Sequence, residues 1–121
     1  MNTPNSSAMP RPSVMQLAFA DLAALHAAYI PWFTDGGVFV ATDREYRLGD
    51  SVYLLLGLPD EAQRAAVVAK VAWVTPVGAM GNRVPGVGVR FARDLKSQAL
   101  RQRIEQKLAP YVAPDRLTHT I

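Results

Sequence analysis

Short apolar runs separated by turns rich in glycine, proline and aspartate dominate the chain, a pattern that predicts strands more than helices. Val14-Met15-Gln16-Leu17-Ala18-Phe19-Ala20 is apolar but for one glutamine and predicts a first strand. Asp21 is a good helix N-cap, and Leu22, Leu25 and Tyr29 then recur at helical spacing. Pro31 closes this short helix, because the residue before a proline is pushed out of the helical region. Thr34-Asp35-Gly36-Gly37 predicts a turn, and Val38-Phe39-Val40-Ala41 a short strand. Leu48-Gly49-Asp50 predicts another turn, feeding Ser51-Val52-Tyr53-Leu54-Leu55-Leu56. In that strand Val52, Leu54 and Leu56 share one face while Tyr53 and Leu55 share the other, so cover on both sides is expected.

Beyond the loop Leu58-Pro59-Asp60-Glu61, a valine-rich run from Arg64 to Val74 predicts the longest strand, with Trp73 near its end. A connection over residues 75–82, with Pro76, Gly78 and Gly81, leads to a partner strand from Val84 to Phe91. Pro85 suits only the start of that strand or an edge. Asp94 caps a final helix in which Leu100, Ile104 and Leu108 fall four apart on one side, and Pro110 is expected to end it. The order of strand, short helix, several antiparallel strands and one helix predicts a mainly β fold. It reads as a small open barrel or sandwich with the terminal helix on or beside it. The expected organisation is a flexible N-terminal tail over residues 1–13, a single domain over 14–110 and a polar C-terminal tail over 111–121.

Composition narrows the function classes. At 121 residues there is room for one modest core. A hydrophobic content of 50% excludes a disordered chain despite nine prolines and eight glycines. No apolar stretch approaches the roughly 18 to 20 residues of a membrane span. The start MNTPNSSAMPRPS lacks the layout of a secretion signal, so a cytoplasmic address is expected. The absence of cysteine excludes disulfides, a thiol nucleophile and thiolate metal sites. Net charge is +3, with both signs scattered. The densest basic stretch, Arg90, Arg93, Lys96, Arg101, Arg103 and Lys107, is interrupted by Asp94 and Glu105, which favours a solvated helix face over a nucleic-acid surface.

Candidate chemistry is sparse. His26 and His119 are too few and too distant for zinc, and no serine sits in GxSxG. Asp60-Glu61 reads as loop solvation, and Gly36-Gly37 and Gly86-Val87-Gly88 match no phosphate-binding pattern. No catalytic residue, metal site or cofactor is therefore expected. The aromatics stand out more: Tyr29, Pro31, Trp32, Phe33, Trp73 and Pro76 all fall at element ends. Tryptophan and tyrosine dominate binding hot spots, but in a small domain they also fill the core, and for Tyr29 and Trp73 both roles stay open.

The run Leu25-His26-Ala27-Ala28-Tyr29-Ile30-Pro31, with Gly36-Gly37-Val38-Phe39-Val40 and Tyr46-Arg47-Leu48-Gly49-Asp50, resembles the PilZ proteins of type IV pilus assembly. The resemblance continues through Val52 to Pro59 and is tightest at Ala69-Lys70-Val71-Ala72-Trp73-Val74-Thr75-Pro76, Gly81-Asn82-Arg83 and Gly86-Val87-Gly88-Val89-Arg90-Phe91. With Thr118-His119-Thr120-Ile121 it spans roughly residues 14–121. It implies a six-stranded antiparallel PilZ-type barrel with a short N-terminal helical segment and a C-terminal helix.

PilZ domains are generally receptors for cyclic di-GMP, gripping it with Arg-x-x-x-Arg before the first strand and [Asp/Asn]-x-Ser-x-x-Gly in the following turn. Here Arg11 is followed four residues later by Met15. The second motif reads Trp32-Phe33-Thr34-Asp35-Gly36-Gly37, with Trp32 at the acidic position and Thr34 at the serine. Two guanidinium forks are what would hold the phosphates, so the resemblance is to the branch that does not bind the dinucleotide. That branch implies a non-catalytic adaptor in pilus biogenesis and twitching motility. Its implied partners are the pilus extension ATPase and a degenerate GGDEF–EAL protein, with recruitment to the pilus machine at the inner membrane. The matching positions Tyr29, Trp73 and Pro76, together with His26 and Trp32, are the candidate partner contacts. His26 stands where the resemblance leads to tyrosine. The alternative is a cyclic di-GMP receptor.

Overall fold

Alternating apolar side chains and capping aspartates build most of the expected elements. A computed structural model describes residues 13–78 and 84–120, and for residues 111–120 the course of the backbone. Its elements are β1 (Ser13–Ala18), α1 (Leu22–Ala28), β2 (Gly37–Ala41), β3 (Ser51–Gly57), β4 (Ala65–Thr75), β5 (Gly86–Phe91) and α2 (Leu95–Thr120). Both expected N-caps form. Asp21 Oδ1 accepts from the Ala24 N–H at 2.8 Å, and Asp94 Oδ1 from the Ser97 N–H at 2.7 Å. The Ser97 bond holds the Asp94 carboxyl below its ordinary range. The proposed tail over residues 1–13 lies outside the described residues except for Ser13, which opens β1.

The strands form one curled, five-stranded half-barrel sheet in the order β1-β3-β4-β5-β2. Five strands, not six, are present among the described residues, and the pairing is not antiparallel throughout. β3–β4, β4–β5 and β5–β2 are antiparallel, whereas β1 and β3 run parallel, with Val14 opposite Tyr53 and Leu17 opposite Leu56. Between β1 and β3 the chain passes through α1 and edge strand β2, a connection long enough to return it in the same direction.

The inner face of the sheet carries Met15, Val52, Leu54, Leu56, Val67, Ala69, Val71, Val87, Val89, Phe91, Val38 and Val40. Leu25 of α1 and the expected stripe Leu100, Ile104 and Leu108 of α2 close over it. Cover on both faces of β3, expected from its apolar sequence, is not what is found: Tyr53 points away from the core and stays exposed. Among the described residues, both helices lie on the same side of the sheet.

The final helix runs on through Pro110 to Thr120, where a polar tail was expected. A proline inside a helix removes the bond to the carbonyl four residues back, here that of Gln106. Gln106 and Pro110 are both exposed, so that carbonyl is open to solvent rather than buried without a partner, and the helix continues. Two cations of α2, Arg103 and Lys107, pair with Glu61 of the β3–β4 loop, Lys107 at 3.1 Å. Surface pairs of this kind, here part-buried, contribute roughly 1 kcal/mol, so the apolar stripe carries most of the docking.

Ile104→Ala is expected to lower unfolding free energy by about 2–5 kcal/mol in urea titrations, since Ile104 is fully buried. Leu95→Ala, at an exposed position of the same helix, is expected to change it by less than about 0.5 kcal/mol.

Candidate partner-binding site

β4 begins with Val67, Ala69 and Val71 directed into the core. Strict alternation would send Trp73 after them. The ladder to β5 prevents this: Val71 lies opposite Val89 and Trp73 opposite Gly88, leaving Ala72 without a partner. This β-bulge restarts the alternation one residue out of step. Val74 therefore turns inward opposite Val87, and Trp73 emerges on the outer face, 45% exposed.

Gly88 makes room for what gathers there. A Cβ on Gly88 would lie 3.1 Å from each of Ile30 Cδ1, Phe33 Cζ and Trp73 Cβ, tighter than side chains normally pack. Phe39 also faces outward, opposite Gly88, and its ring occupies the space beside Gly86. The outer face of β2, β5 and β4 thus carries a second, small apolar layer with Ile30, Phe33 and Thr75 buried in it. Trp73 Nε1 donates to Thr75 Oγ1 at 2.9 Å, fixing the indole. Trp32 caps this layer while 70% exposed. Its ring meets Phe33 at 4.7 Å and Trp73 at 6.4 Å, with interplanar angles of 80° and 83°, the edge-to-face geometry aromatic rings prefer.

The loop that presents Trp32 is held at both ends. The Ile30 N–H donates to the Gly37 carbonyl at 2.8 Å, and the Phe91 N–H to the Gly36 carbonyl at 2.9 Å. Gly36 turns the chain with φ of 76°, a left-handed conformation that other residues rarely adopt. Arg93 pairs with the Asp35 carboxylate at 3.1 Å, and Gln98 Nε2 donates to the Asp35 carbonyl at 3.2 Å. An exposed indole on an anchored loop loses little conformational freedom when a partner covers it.

The five residues singled out from sequence do not form one cluster. Trp32 and Trp73 come together, and exposed Pro76 directly follows the end of β4. Tyr29 lies on the other side of the sheet edge. It bridges to Val38, packs on the inner core and donates its hydroxyl to Glu105 Oε2 of α2 at 2.5 Å. His26 is exposed on α1. Sequence reasoning passed over Phe39; the alternate glycines of Gly86-Val87-Gly88 were a signal that one strand face is open to large neighbours, but only the β2–β5 pairing shows that Phe39 fills it.

With the geometry in place, residues 14–109 match the PilZ domain. The chain belongs to the PilZ domain family. The comparison with curated proteins gave no match. PilZ domains are generally non-catalytic binding domains. Among the described residues, no group of histidine and carboxylate side chains is placed to hold a metal ion, and no helix is long and apolar enough to cross a membrane. In this PilZ domain the tightest part of the sequence resemblance coincides with the bulge, the open glycines and Trp73. Gly81-Asn82-Arg83, in the same stretch, lies outside the described residues.

Burial, followed by the Glu105 bond, pushes the Tyr29 phenol up to about 12, against the smaller lowering effect of Arg101. Because the folded protein holds this proton more tightly than the ordinary value of 10.0, its contribution to stability is complete below pH 10 and is lost as pH rises towards 12. The ultraviolet difference between wild type and Tyr29→Phe should show phenolate appearing only near pH 12. Glu105→Gln should bring the midpoint down without restoring the ordinary value, because burial, the larger cause, remains.

Proposed function

We propose that this PilZ domain is a non-catalytic adaptor in type IV pilus biogenesis and twitching motility, meeting its partners through the Trp32–Trp73 face. The partners are the pilus extension ATPase and a degenerate GGDEF–EAL regulator, with cyclic di-GMP sensed by the regulator. The single observation that carries this is the pair of exposed, mutually packed indoles on an anchored loop and a bulged strand. Rigid, exposed tryptophans give large contact area at small entropic cost, as interface hot spots do. Tyr29 and Trp32 flank edge strand β2 from its two sides, so a partner that covers this edge reaches both, with His26 and Pro76 as further contacts.

The positions matching the dinucleotide signature support the same conclusion. Met15, four residues after Arg11, is buried in the core, where no phosphate reaches it. Trp32 and Thr34 are exposed but offer no carboxylate, and Asp35 is engaged by Arg93. One observation favours the alternative of a cyclic di-GMP receptor: Lys70, Arg90 and Arg93 line a groove of about 240 Å³. Calorimetric titration of the isolated chain with cyclic di-GMP at high micromolar concentration separates the two, and no heat is expected.

Trp73→Ala should weaken capture of the pilus extension ATPase about thirtyfold, as loss of a hot spot of some 2 kcal/mol does, while circular dichroism stays that of the wild type. Undiminished capture by a folded Trp73→Ala protein would rule this face out.

A further inference from the structure

Away from the two indoles, the outer face of the sheet carries another patch that the adaptor function above does not use. Val14 of β1 lies opposite Tyr53 of β3, and Tyr53 opposite Val68 of β4. These three side chains form a row across three strands and are 53%, 47% and 39% exposed. Two residues along β4 on the same face stands Lys70, directly opposite Arg90 of β5. Opposed side chains in an antiparallel pair have Cβ atoms roughly 5 Å apart, and like charges there repel. Neither Lys70 nor Arg90 has an ion-pair partner among the described residues. The carboxylate closest to them in the groove, that of Asp35, is taken by Arg93. Val68, Lys70, Arg90 and Arg93 line that same groove, so the apolar row and the uncompensated cations are continuous.

The free domain therefore keeps exposed apolar area beside a repelling cationic pair, and a single occupant removes both costs. We propose that this face is a docking site for an acidic segment of a partner protein, with apolar side chains on the Val14–Tyr53–Val68 row and carboxylates on Lys70 and Arg90. A protein fits better than a lipid surface, because the row lies within strands and, among the described residues, no loop protrudes from it to enter a bilayer. The site is separated from Trp73 by roughly 10 Å along β4, at about 3.3 Å per residue. Two segments can thus occupy the outer face side by side, which is what an adaptor with two partners needs, although this second site does not depend on the first.

A random peptide library displayed on phage, selected against the full chain, tests the proposal without knowledge of the partner. Enriched peptides should combine aspartate or glutamate with apolar residues. As synthetic peptides they should bind at least about tenfold more weakly to Lys70→Glu and to Tyr53→Ala, and equally well to Leu95→Ala. Lys70→Glu places opposite charges across the β4–β5 pair, so it should raise the melting temperature while it removes binding, which separates lost recognition from lost folding. The proposal is overturned by any of three results: no enriched sequence, enriched sequences without acidic residues, or undiminished binding to Lys70→Glu. Sedimentation of the chain with phosphatidylglycerol vesicles that Lys70→Glu abolishes would also overturn it, assigning the face to a membrane.

Discussion

The outer surface of this domain depends on one unpaired residue. At Ala72 the β4–β5 ladder skips a partner, and the inside–outside alternation of β4 reverses. Without that step the indole of Trp73 would compete with Val71 and Val89 for the core, and Val74 would face solvent. With it, Trp73 reaches a face already opened by Gly86 and Gly88, where Phe33, Phe39 and Ile30 supply a floor and Trp32 packs against its edge. A bulge adds local twist and re-aims a side chain, and here it aims the residue with the largest apolar surface available.

The two sides of the sheet obey different rules as a result. The inner side is an ordinary core, largely aliphatic around Phe91, closed by α1 and the Leu100–Ile104–Leu108 stripe of α2. Around it Tyr29 bonds Glu105, and Glu61 pairs with Arg103 and Lys107, at the margins of the docked helix. On the outer side the glycines exchange backbone freedom for space, and several large apolar side chains stay in contact with water. The outer side, covered only in part by the loop around Ile30 and Phe33, keeps an exposed surface and a shallow groove.

Membership of the PilZ family fits this arrangement, since PilZ domains are generally non-catalytic binding domains. Within that frame the outer face divides by chemistry: an aromatic end at Trp32 and Trp73, and an aliphatic and cationic end from Val14 to Arg90. Aromatic contact sets strength, and uncompensated charge sets which partners are admitted and which are repelled.

Local chemistry alone determined much of this protein. Asp21 and Asp94 cap helices because a short carboxylate beside free N–H groups has the same geometry in any fold, and the alternation of Val52, Leu54 and Leu56 marked one face of β3 as core. The helical spacing of Leu100, Ile104 and Leu108 likewise announced how α2 docks. Tertiary structure decided the rest. The parallel pairing of β1 with β3 depends on where a distant strand returns, and the passage of α2 through Pro110 depends on its orphaned carbonyl facing water. The fate of Trp73 shows the limit most sharply. Its sequence neighbours assign it to the inner face, and only a register shift against β5, a contact between strands distant along the chain, turns it outward.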